Sequence, residues 1–111
     1  MFEIDRQPVL WALRELASRE EQERLWLSDG TSGEVSSLTE ASCGVFDDGG
    51  VARLLDMDGF PSEIASLFKA LLMCIKRVPH NAPPREQISH PSMEDVRRIS
   101  RDLIDLLSTQ S

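Results

Sequence analysis

Residues 61–78, with the sequence PSEIASLFKALLMCIKRV, decide the fold. Apolar side chains recur every three or four positions in this stretch and cover more than half of a helical circumference: Ile64, Leu67, Phe68, Leu71, Leu72, Cys74, Ile75 and Val78. Glu63 in the first turn and Lys76 with Arg77 in the last turn complement the helix dipole. The pattern predicts the central helix of the fold.

Further helices are predicted on both sides of this stretch. Each begins at a proline, at a serine cap or after a glycine pair, and the five starting points are Pro8, Ser18, Ser37, Val51 and Pro91. The two serines stand three residues before a glutamate, which is the spacing of a capping box. Residues 79–90 are rich in proline and predict a long connection.

No stretch of five or more residues alternates between apolar and polar side chains, so no strand is predicted. The last predicted helix has two oppositely charged pairs four residues apart, Glu94 with Arg98 and Arg101 with Asp105, which indicates a solvated outer face. The predicted fold is therefore all-α, an irregular bundle of five to six helices in a single domain over residues 1–111.

Composition limits the class of protein. With 111 residues, 41% hydrophobic and 28% charged, the chain can build one compact core. Its longest apolar run, Ala70 to Ile75, is far short of the ~20 residues that span a bilayer. Acids precede the first base at the N-terminus, which is unlike a secretory signal. We expect a cytoplasmic protein in which Cys43 and Cys74 are free thiols.

Negative charge is concentrated in the middle of the sequence. Residues 29–63 contain eight acids and one base, Arg53, whereas the two flanking parts together are neutral. The formal net charge of −7 disfavours nucleic acid and anionic membranes as partners, because binding to them requires Lys and Arg side chains that face phosphates. A partner selected by electrostatics is expected to be a basic protein.

Two short motifs are weak candidates for ligand sites. Asp56-Met57-Asp58-Gly59 has calcium-loop spacing, but the first and twelfth loop positions would then be Leu54 and Ala65, which have no carboxylate. Helix termination is the better interpretation. Gly30-Thr31-Ser32-Gly33 lacks both the lysine of a phosphate loop and a preceding strand, so it is interpreted as a plain loop.

Catalytic and metal-binding residues are also not predicted. His80 and His90 lie in the proline-rich connection, and no C-x-x-C pair supplies further ligands. A Cys-His nucleophile pair would need contacts that no motif indicates. A carboxylate pair for glycoside hydrolysis usually lies among aromatic side chains, and this chain has no Tyr. We therefore expect no catalytic residue, no metal and no cofactor.

Two apolar residues fall on the polar sides of their predicted helices. Trp11 lies opposite the apolar stripe of the first helix, and Met73 lies among Lys69, Lys76 and Arg77. Either could anchor a partner, since Trp is frequent at binding hot spots and Met at adaptable contacts. Because large aromatic side chains are mostly buried, we expect neighbouring helices to cover Trp11.

The run Leu25-Trp26-Leu27-Ser28-Asp29-Gly30 and the acidic block through Asp47-Asp48-Gly49-Gly50 resemble the immunity proteins of bacterial contact-dependent inhibition and related polymorphic toxin systems. This resemblance implies stoichiometric binding to a toxin domain, often a basic nuclease, whose active site the acidic surface occludes. Immunity proteins have many unrelated folds, so the resemblance implies no particular fold.

The functional hypothesis is a non-catalytic protein that neutralises a basic partner. Six acids are predicted to face that partner: Glu34, Asp47, Asp48, Asp56, Asp58 and Glu63. A charged surface of this kind steers association, while a few apolar residues hold the complex. The alternative is a structural or regulatory subunit that self-associates through apolar helix faces. The sequence leaves the oligomeric state open.

Overall fold

A computed structural model describes residues 4–28 and 35–109. Within these ranges the chain forms seven α-helices and no strand: α1 (Arg6–Ala17), α2 (Arg19–Trp26), α3 (Leu38–Phe46), α4 (Val51–Asp56), α5 (Ser62–Arg77), α6 (Pro84–Ser89) and α7 (Pro91–Thr109). The predicted all-α bundle is confirmed, although the described residues hold one helix more than the upper predicted number.

The core lies where α7 packs against both α5 and α1, and α3 also packs against α1. Most of the predicted central stripe is buried, including Phe68 and Leu71, which are fully enclosed. The rings of Phe46 and Phe60 contact that of Phe68 at centroid distances of 6.1 and 5.2 Å. The stripe of residues 61–78 therefore has the central position that its periodicity predicted.

Helix α6 was not predicted and lies inside the predicted connection over residues 79–90. Pro84 occupies its first position, where the missing N–H would have no helical partner. The Gln87 side-chain amide donates to the carbonyl oxygen of Pro79 at 2.9 Å. Only Ile88 inserts an apolar side chain into the core. With one buried apolar residue in six, this helix has no stripe that periodicity could detect.

Serine caps produce the predicted breaks between helices. The Ser18 hydroxyl accepts a hydrogen bond from the Glu21 amide at 3.1 Å, and the Ser37 hydroxyl accepts one from the Glu40 amide at 3.1 Å. Each serine satisfies an amide that the first helical turn leaves without a partner. Ser18 thus ends α1 and begins α2, which turns the chain so that α2 folds back beside α1.

Two glycines allow the α3–α4 connection to lie against α1. The Gly49 carbonyl accepts from the Asp5 amide at 3.1 Å, and a methyl group at Gly49 would overlap the side chain of Val9. Gly50 adopts a φ of 85°, in the left-handed region that favours glycine. The acids Asp47 and Asp48 are therefore held at the N-terminal end of α1.

The end of α4 confirms helix termination at Asp58-Gly59. The Gly59 amide donates to the Leu54 carbonyl at 2.7 Å, and the Asp58 amide donates to the Leu55 carbonyl at 3.4 Å. This is the hydrogen-bond pattern of a Schellman motif. Asp58 takes the left-handed position with a φ of 53°, a conformation that Asp and Asn tolerate better than most residues.

A buried arginine joins four helices. Arg97 on α7 is 8% exposed, and its guanidinium donates twice to Gln22 Oε1, at 2.9 and 3.0 Å, and once to the Ile88 carbonyl at 2.6 Å. The Gln22 side-chain amide in turn donates to the carbonyls of Glu15 and Leu16 at 3.2 and 2.8 Å. Burial, with a smaller effect of Arg19, lowers the pKa of Arg97. The three hydrogen bonds that the Arg97 guanidinium donates compensate for this desolvation.

Replacing Gln22 by Leu should destabilise the fold by about 3 kcal/mol, because the buried guanidinium would keep only the Ile88 carbonyl as an acceptor. Adding Arg97→Met removes the unpaired charge, so the double variant should be more stable than the sum of the single effects by about 1 to 3 kcal/mol. Urea unfolding of the wild type, the Gln22→Leu variant, the Arg97→Met variant and the double variant measures this coupling. Additive effects would contradict the network.

Candidate functional site

Five of the six predicted partner-binding acids lie in the described residues, and all five are exposed: Asp47, Asp48, Asp56, Asp58 and Glu63. Glu34 lies outside the described residues. Four of them line three separate depressions of the surface, which contain Asp47 with Asp48, Asp58, and Glu63.

Asp47 and Asp48 line a depression of about 450 Å³ beside the start of α1. Asp5 adds a third carboxylate there, and Arg53 of α4 adds a guanidinium. The base that the sequence places alone among eight acids is therefore close to two of them. A cationic partner at this depression would therefore meet a guanidinium as well as the carboxylates.

Asp58 lines a second depression, of about 310 Å³, between α4 and α5. Lys69 of α5 lines the same depression, together with apolar side chains that include Phe60. This depression is therefore mixed in charge. Ser66 also lines it, and the same serine lines a third depression that contains Glu63.

The third depression is the one we call the acidic groove. It lies between α5 and α7, has a volume of about 470 Å³, and is lined by Glu63, Ser66, Leu67, Asp102, Asp105 and Leu106. Three carboxylates surround two leucines, and no base is among the lining residues. Of these three depressions, this one combines negative charge with an apolar surface and no lining base.

Asp102 and Asp105 were missed as candidate site residues. Asp105 was expected to pair with Arg101, but the Arg101 guanidinium donates to the Ala17 carbonyl at 3.3 Å. The other expected pair, Glu94 with Arg98, is also absent from the described contacts, because Arg98 instead contacts Asp95 at 3.0 Å. The sequence does contain a pattern that relates these residues to Glu63. Residues 63, 66 and 67 on α5 and residues 102, 105 and 106 on α7 have the same spacing, and in each set an acid comes first and a leucine last.

An exposed methionine stands between two of the predicted acids. Met57 is 68% exposed and follows α4 directly, with Asp56 and Asp58 as its neighbours in the chain. A flexible thioether side chain adapts to different partner surfaces. Met57 therefore adds an exposed apolar side chain to this acidic part of the surface.

The prediction that Trp11 is covered was wrong. Trp11 is 72% exposed on the outer face of α1, where it lines a depression of about 340 Å³ with Arg6, Gln7, Leu10 and Arg14. Met73 is also exposed, at 56%. The second tryptophan, Trp26, is buried and donates its indole N–H to Glu15 Oε2 at 2.8 Å. Of the two tryptophans, Trp26 therefore belongs to the core and Trp11 to the exposed surface.

The cysteines are free thiols in different surroundings. Cys74 is buried in the core, and Cys43 is exposed on α3. The pKa of Cys43 is raised, chiefly by the interaction of its side chain with Asp47, and further by slight desolvation and by the charges of Asp47, Asp48 and Glu40. Since the thiolate is the nucleophilic form, these carboxylates make Cys43 less reactive at neutral pH.

The histidines of the connection have local contacts. His90 Nδ1 accepts a hydrogen bond from the Ser92 amide at 3.1 Å, at the N-terminus of α7, and the His80 carbonyl accepts from Gln87 at 3.4 Å. Among the described residues, no group of three or more His, Cys, Asp and Glu side chains is arranged to hold a metal ion. No helix in the same ranges has the length and hydropathy needed to span a membrane.

Comparisons with protein-family models, with characterised proteins and with solved structures find no match for the chain.

Replacing Asp47 by Asn should accelerate alkylation of Cys43 by iodoacetamide several-fold near neutral pH. The substitution removes the main cause of the raised pKa, so the thiolate fraction at a given pH increases. Peptide mass spectrometry would follow Cys43 and the buried Cys74 in the same sample, with Cys74 as the internal control. An unchanged Cys43 rate, or equal acceleration at both cysteines, would contradict this account.

Proposed function

We propose that the chain is a non-catalytic binding protein that neutralises a basic protein partner, and that it acts as an immunity protein against a toxin nuclease domain. The observation that carries this proposal is the acidic groove, where Glu63, Asp102 and Asp105 surround Leu67 and Leu106 without a lining base. The resemblance in general character to immunity proteins supplies the class of partner.

The groove has the two chemistries that a specific complex with a cationic protein requires. Its carboxylates accept charge-assisted hydrogen bonds from Lys and Arg side chains. Its two leucines, both partly buried, offer apolar surface that loses water when a partner side chain is seated between the helices. The net charge of −7 adds long-range attraction, which raises the association rate of a basic partner.

Occlusion of a nuclease follows from the same charges. A nuclease binds the phosphates of its substrate with Lys and Arg side chains. Carboxylates on a rigid helical surface can pair with those cations and exclude nucleic acid from them. Asp47, Asp48, Asp56 and Asp58 would lie around the groove contact, where exposed charges act mainly on the association rate.

The proposal requires that a toxin domain accompany this gene, so the gene immediately upstream should encode a basic, growth-inhibitory domain. Co-expression of that domain with the chain should restore growth in bacterial cells, and the two proteins should copurify in equal amounts. The chain would then act in the cytoplasm of the producing cell. No protection and no complex with the upstream product would overturn the proposed function.

Two double variants, each of which removes two negative charges, distinguish long-range electrostatic attraction from direct contact in the acidic groove. Asp102→Asn with Asp105→Asn changes the groove, whereas Asp47→Asn with Asp48→Asn changes the depression that contains Arg53. Both should slow association about three- to tenfold and flatten its salt dependence. Only the groove variant should also accelerate dissociation, by about tenfold or more.

Surface plasmon resonance with the toxin domain at several salt concentrations measures both rates. Unchanged kinetics for both variants would refute a charge-selected partner. Faster dissociation for the Asp47 and Asp48 variant alone would move the contact away from the acidic groove. Thermal melting of each variant serves as the control for folding.

A further inference from the structure

One exposed surface carries the opposite charge to the rest of the candidate site. Arg6, Gln7, Leu10, Trp11 and Arg14 line a single depression on α1, which we call the Trp11 face. Trp11 has 72% of its surface exposed there, the highest exposure among the large apolar side chains that the structure describes. Tryptophan and arginine are the residue types most enriched at binding hot spots.

The Trp11 face and the acidic groove both lie near the C-terminal turns of α7. The Arg6 guanidinium donates to the Leu107 carbonyl at 3.1 Å, which places the face on the α1 side of these turns. Asp102, Asp105 and Leu106 line the groove on the α5 side of the same turns. One chain therefore presents two neighbouring surfaces whose charges are complementary.

We propose that the Trp11 face of one copy docks into the acidic groove of a second copy. The indole would pack against Leu67 and Leu106, and the guanidinium of Arg14 would approach the carboxylates that surround them. Both surfaces have an apolar centre with charged neighbours. The neighbours are positively charged on the Trp11 face and negatively charged in the acidic groove. This self-association goes beyond the proposed function and does not depend on it.

A two-fold pair uses this contact twice, because each chain contributes both a face and a groove. That repetition matters, since a single indole and its neighbours bury less than the ~800 Å² per partner of a standard stable interface. The net charge of −7 on each copy opposes association at long range. The pair is therefore reversible, and a basic partner that occupies the groove displaces the second copy.

Sedimentation equilibrium over a hundredfold range of concentration tests the pair. The mass should rise from the 12.5 kDa of one chain toward twice that value. Trp11→Ser and Arg14→Glu should each reduce the association constant about tenfold or more, since both residues lie at the contact. Arg85→Glu, which makes the same charge change at an exposed position on α6, should reduce the association constant much less than Arg14→Glu, through the added net charge alone.

A charge exchange between copies gives the sharpest result. Asp105→Arg alone should also prevent pairing, but an equimolar mixture of the Arg14→Glu and Asp105→Arg proteins should associate again. In the mixed pair, one contact is that of the wild type, and in the other contact the two substituted side chains, at positions 14 and 105, have opposite charges. A wild-type protein that stays monomeric overturns the proposal, as does association that is insensitive to Trp11→Ser or a mixture that does not associate. Melting temperatures of the variants confirm that each is folded.

Discussion

The hydrogen bonds between Arg97 and Gln22 are the constraint on which the arrangement of helices depends. A buried guanidinium requires acceptors, and here they come from α2 and from the end of α6, while Gln22 also contacts the last carbonyls of α1. The position of α7 is thereby fixed relative to three other helices. Helix α7 forms one wall of the acidic groove and contacts α1 beside Trp11. The geometry of the acidic groove and of the Trp11 face therefore depends on where α7 is held.

The sequence predicted most of the fold because its determinants are local. Apolar periodicity identified the central helix, and the spacing from Ser18 to Glu21 identified the break after α1. It did not predict α6, whose six residues bury only Ile88 among apolar side chains. Nor did it identify Arg97 as a core residue, since its acceptor Gln22 is 75 positions away and is itself a polar residue in a polar stretch.

The site was less predictable because it depends on pairs of helices. The concentration of acids in residues 29–63 pointed to a charged surface, yet the structure divides those acids among depressions and places Arg53 and Lys69 beside some of them. The groove that combines acids with apolar surface takes half of its lining residues from α7, outside that block. Trp11 was misjudged because the general tendency of tryptophan to be buried carries no information about which faces of α1 are covered.

Chemical-shift mapping with the proposed basic partner tests the binding surface most directly. Amide resonances of the isotopically labelled chain would be followed as the unlabelled product of the proposed toxin gene is added. The proposed contact predicts that the largest shifts fall on the two walls of the acidic groove, around Glu63 to Leu67 and around Asp102 to Leu106. Shifts concentrated elsewhere, with these two segments unperturbed, would contradict it.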